Sequence, residues 1–79
     1  MRQSEYEFTM ELLSAMAAET IARNQKIAKI KAFDRFMRSE TAALLFDEES
    51  GLWQNGPDYI ADEYQAEQRA KATSRRHLK

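Results

Sequence analysis

The side chains that could move protons, attack a carbonyl or hold a metal are few, and their spacing suits none of these tasks. His77 is the single histidine, and it falls in a basic C-terminal stretch read as a solvated tail. There is no cysteine, so thiolate nucleophiles and thiolate metal ligands are excluded. Serine and threonine hydroxyls are present, but no second histidine can act as their base. Zinc sites draw on several Cys and His ligands, and this chain offers one. The run Asp47-Glu48-Glu49 lacks the alternating oxygen ligands and the downstream glutamate of a calcium loop. Gly51 and Gly56 form no phosphate-cradling motif. Asp62 and Glu63 are neighbours on a helix and point apart, so they cannot share a substrate. The pattern argues against an enzyme and implies neither cofactor nor metal.

Residues suited to binding are better supplied. Trp53 sits among turn formers between Gly51 and Pro57, just after Asp47, Glu48 and Glu49. Tryptophan is enriched at interface hot spots, so this segment is a candidate partner anchor. The competing reading folds Trp53 back as a lid on the core. On the second helical segment Asn24, Lys31, Arg35 and Arg38 make a narrow polar and basic stripe, with Lys26 and Lys29 nearby. Together with Arg75 and Arg76 in the tail, this stripe could track a phosphate backbone. The net charge of −1 and isoelectric point near 5.8 speak against that use, because nucleic-acid binders show a basic excess. No Gly-containing helix-turn-helix corner precedes a basic helix. Sequence-specific nucleic-acid binding is therefore not expected.

Charge is sorted into blocks. Residues 1–22 carry −3, residues 23–38 carry +5, residues 39–67 carry −8 and residues 68–79 carry +5. Such blocks either neutralise one another or present separate faces to partners. The first option, with the acidic third block against the basic second block within or between subunits, is the expectation.

The elements that must position these residues are helices. Alanine occurs 12 times and isoleucine four times, with no valine, two glycines and one proline. That composition favours helix over strand. The expectation is an all-α single domain over residues 1–79, a small helical bundle or helical hairpin of three to four helices, with a frayed basic tail at 74–79. Ser4 and Glu7 have capping-box spacing and begin the first helix. There Tyr6, Met10, Leu13, Met16, Ala17 and Ile21 share a face, with Leu12 at its edge, Glu7, Glu11, Ser14 and Ala18 opposite, and Phe8 outside. This face is wider than the ~100° stripe of an ordinary surface helix. It therefore predicts self-association with Leu13, Met16, Ala17 and Ile21 near the contact.

Asn24 marks a turn or kink, since asparagine tolerates the left-handed conformation; the alternative is one helix over residues 5–38. A second segment over 25–38 groups Ile30, Phe33 and Met37, flanked by Ile27 and Phe36. Ser39 is positioned as N-cap of a short helix over 40–46. Gly51 closes a turn, with a hairpin between 44–46 and 52–54 as the alternative. Pro57 opens the last helix, read to residue 73, on which Glu67 and Lys71 form an i,i+4 pair. Phe8, Phe33, Phe36 and Phe46 are assigned to the core, and Met10, Met16 and Met37 to its gaps.

A chain of 79 residues is near the lower limit for an independent core, so a dimer or a partner would stabilise it. The N-terminal residues are too polar for a signal peptide, and no apolar run is long enough for a membrane span. These features point to a soluble, cytoplasmic helical protein that binds another protein, masking or recruiting it as an inhibitor, an antitoxin-like neutraliser or an adaptor. The alternatives are a nucleic-acid-associated regulator and a structural oligomerisation unit.

Overall fold

The computed structural model describes residues 3–77, and side chains over 4–72. Four α-helices follow one another: α1 (Gln3–Gln25), α2 (Lys29–Met37), α3 (Glu40–Leu45) and α4 (Pro57–His77). Two short 3-10 turns, Glu48–Ser50 and Leu52–Asn55, join α3 to α4. Among the described residues there is no strand, so the alternative hairpin over 44–46 and 52–54 does not form.

Residues 5–38 form two helices. The break is at Lys26, whose φ of 57° is left-handed, rather than at Asn24. The Ile27 amide donates to the Ala22 carbonyl at 3.1 Å. This is the long bond of a Schellman cap, with Lys26 in the place usually taken by glycine. Ile27 itself packs against the core, supplying the apolar contact that accompanies such caps. A side chain at this φ costs roughly 1–2 kcal/mol, so packing around Ile27 must over-determine the turn.

α2 is shorter than the sequence suggests because little favours its start. Ala28 occupies the N-cap without a side-chain hydrogen bond, and no acid stands in the first turn. Lys29 and Lys31 lie there instead, at the end of the helix dipole that disfavours cations. Burial of Ala32 and Phe36 holds the helix in place. α3 begins as expected: the Ala42 amide donates to Ser39 Oγ at 3.1 Å. Gly51 (φ 69°) closes the first 3-10 turn, and Pro57 opens α4, which continues past residue 73.

α1 is the central element, and its buried side is not the one that bulk hydrophobicity selects. Tyr6, Met10, Ser14, Ala17, Ala18, Ile21 and Ala22 face the core, with Leu13 half-buried. Ser14 and Ala18, expected on the solvent side, are fully buried, and Met16 is exposed. Small residues let α2 and α4 both approach α1 closely; the larger Phe8, Leu12 and Met16 turn outward. The buried Ser14 hydroxyl donates to the Met10 carbonyl at 2.7 Å, so it enters the core without an unsatisfied polar atom. Ile60, Ala61 and Tyr64 of α4, Ala42 and Leu45 of α3, and Phe36 of α2 complete the core. Phe46 packs at its edge, whereas Phe8 and Phe33 are exposed, against expectation.

Candidate functional site

The most distinctive surface lies on the outer side of α1 and α2. Phe8, Leu12 and Met16 recur every fourth residue on α1, and Ile30, Phe33 and Met37 follow helical spacing on α2. Their exposures run from 37% for Phe33 to 81% for Ile30. Helical geometry joins the two rows. Lys29 Nζ meets Glu19 Oε2 at 3.3 Å, so the start of α2 lies beside Glu19 of α1. Met16 and Leu12 share the Glu19 side of α1, and Phe33 and Met37 share the Lys29 side of α2. Helical spacing thus sets the two apolar rows side by side, flanked by Glu5, Glu11 and Glu19 on α1 and by Lys29 and Asp34 on α2. Taking ~150–200 Å² for a large side chain, the exposed portions amount to about 500 Å², at the upper end of patches found on monomers.

The residues singled out on α1 divide between two roles. Ala17 and Ile21 are fully buried and Leu13 is half-buried in the chain's own core, which removes the first two from any contact with a partner. Met16 alone is exposed and belongs to the outer face. Phe8 and Leu12 carry the rest of that face on α1. Their signal was the i, i+4, i+8 spacing with Met16, a second apolar row beside the first.

Trp53 adopts the lid arrangement. Its ring meets Tyr6 edge-on with centroids 6.1 Å apart, and Nε1 donates to the Glu48 carbonyl at 3.4 Å. The Tyr6 hydroxyl in turn donates to the Leu45 carbonyl at 2.9 Å. Asp47, Glu48 and Glu49 remain exposed, and Asp47 caps its own turn by accepting from the Glu49 amide at 3.1 Å. Burial, then the charges of Glu48 and Asp47, push the Tyr6 phenol up. The acidic turn is thus clamped onto the N-terminal half of α1, with the half-buried Trp53 as the clamp.

Arg35 and Arg38 line a trough between α2 and α4 that also contains Tyr64 and Lys71. Lys31 is exposed one helical turn before Arg35, and neither forms an ion pair among the described residues. The side chains of Arg75 and Arg76 lie outside the described residues. The expected pairing of the acidic third block with the basic second block is not seen in the described ion pairs. Lys29 pairs with Glu19, Arg38 with Asp34 and Lys71 with Glu67.

Glu67 is the residue whose importance the sequence understated. Its carboxylate accepts from the Glu40 amide (3.0 Å), the Thr41 amide (2.9 Å) and the Thr41 hydroxyl (2.6 Å). It also meets Lys71 Nζ at 3.0 Å. α4 therefore caps α3 from outside, in addition to Ser39. Burial pushes the Glu67 carboxyl up, but these hydrogen bonds outweigh it and hold the group at about 2.

No protein-family model, curated protein or solved structure matches the chain. No described helix is long and apolar enough to cross a membrane.

Proposed function

We propose that this protein acts by docking rather than by chemistry, and that the face formed by Phe8, Leu12, Met16, Ile30, Phe33 and Met37 is the docking surface. The observation that carries the reading is the exposure of these six large apolar side chains on two adjoining helices of so small a domain. Its occupant is a second copy of the chain. A two-fold axis through the face sets the apolar side chains of one copy against those of the other, an isologous contact. About 500 Å² per copy gives roughly 1,000 Å² in the pair, the lower limit for a specific interface. An interface at this limit belongs to the weak, reversible class, so the copies can separate. Docking of this kind works by masking or recruiting what it covers.

The experiment is sedimentation equilibrium of the wild type and of Phe8→Glu and Ile30→Glu. Both side chains are exposed, so each variant should retain its helical spectrum and its stability within about 0.5 kcal/mol. Loss of self-association with the fold intact supports the docking surface. Undiminished association assigns the contact elsewhere and refutes it. A wild type that stays monomeric refutes the second copy as occupant.

A further inference from the structure

The trough between α2 and α4 gathers cationic and phenolic side chains from both helices. The two helices touch through the rings of Phe36 and Tyr64, with centroids 5.8 Å apart. Beside this contact opens a trough of about 410 Å³, lined among others by Arg35, Arg38, Tyr64, Lys71, Gln25 and Gln68. The second and fourth charge blocks, remote in sequence, both contribute cations to it.

We propose that this trough binds the phosphate group of a small phosphomonoester, with Arg35, Lys71 and the Tyr64 hydroxyl as its direct donors and Arg38 at the rim. Tyr64 lines the trough and is 3% exposed as a whole residue. Arg35 has no carboxylate within ion-pair distance among the described residues. The adjoining hollow shares Gln25 and Gln68 and is also lined by Gln65, whose buried Nε2 lacks an acceptor. Arg35 and Lys71 bring charged donors to the trough, which favours an anionic ligand.

The arrangement favours phosphate over carboxylate. A guanidinium, an ammonium and a phenol approach from two helices, and a tetrahedral group with three terminal oxygens can serve all three, whereas a carboxylate presents two coplanar oxygens. Arg38 and Lys71 are partly neutralised by Asp34 (3.4 Å through Nε) and Glu67 (3.0 Å), leaving Arg35 as the uncompensated charge. A phosphomonoester carries up to two charges to a site of this kind, and a phosphodiester carries one. The volume exceeds that of phosphate alone, leaving room for the esterified group. Arg35 lies on the opposite flank of α2 from Phe33 and Met37, so its side of the trough is separate from the apolar face.

The test is a nitrogen–proton correlation titration of the full chain with inorganic phosphate and with phenyl phosphate. Sodium acetate and sodium chloride at matched ionic strength are the controls. Saturable shifts confined to Arg35, Tyr64, Gln68 and Lys71 are expected. Arg35→Gln should weaken binding at least tenfold. Tyr64→Phe, which keeps the ring against Phe36, should weaken it several-fold. Equal shifts with acetate, or shifts spread over Lys26, Lys29 and Arg69 as with chloride, would overturn the proposal. So would a folded Arg35→Gln protein that binds as before. Mixed-sequence duplex DNA that binds more tightly than phenyl phosphate would overturn it in favour of a backbone-tracking surface.

Discussion

Replacing Glu67 by glutamine isolates the charge that ties α4 to α3. The carboxyl lies at about 2 against an ordinary 4.5, and its side chain is 10% exposed. At about 1.4 kcal/mol per unit, the ionised form contributes about 3 kcal/mol to folding at neutral pH. A depressed carboxyl stabilises the fold above its unfolded value and loses that contribution as pH falls toward its folded value. The wild type should therefore lose stability between about pH 5 and pH 2 through this group. Glu67→Gln cannot titrate there and should begin about 2–3 kcal/mol less stable, a melting temperature lower by roughly 10–20 °C. Thermal melts of both proteins at a series of pH values give the difference directly, since all other carboxyls cancel. The gap should be full at pH 7 and nearly closed near pH 2. A gap that is absent at pH 7, or that stays constant on acidification, refutes the assignment of Glu67 as the cap of α3.

Three further substitutions test the turns and the clamp. Lys26→Gly should raise stability by up to about 1 kcal/mol in a denaturant melt, because glycine removes the left-handed penalty at the end of α1. Ala28→Asp should add about 1 kcal/mol by giving α2 the cap and the negative charge its start lacks. Trp53→Ala should cost about 1–3 kcal/mol through lost contact with Tyr6; an unchanged melt would restore Trp53 as an exposed anchor.

Helix content, the Ser39 cap, the Gly51 turn and the Pro57 start were legible in the sequence, because each depends on local backbone chemistry. The buried side of α1 was not. A wheel ranked by bulk places Met16 inside and Ser14 and Ala18 outside, whereas close helix approach selects small residues and the i−4 carbonyl satisfies Ser14. The outer face was half visible: Ile30, Phe33 and Met37 grouped at once, but Phe8 and Phe33 were assigned to a core that had no room for them. Lys26 could not be foreseen as a left-handed residue, since the packing of Ile27, not the lysine, fixes the turn. Glu67 was placed in its pair with Lys71, but its bonds to Glu40 and Thr41 are tertiary and leave no mark on spacing.

The most direct measurement is the molecular mass of the wild type and of a Phe8→Glu/Ile30→Glu double variant, followed by sedimentation equilibrium from low to high micromolar concentration. A self-pairing face requires the wild type to shift from monomer to dimer across that range, and the double variant to remain a helical monomer throughout. A wild type that stays monomeric at the highest concentration, or a double variant that dimerises equally well, would contradict docking through α1 and α2.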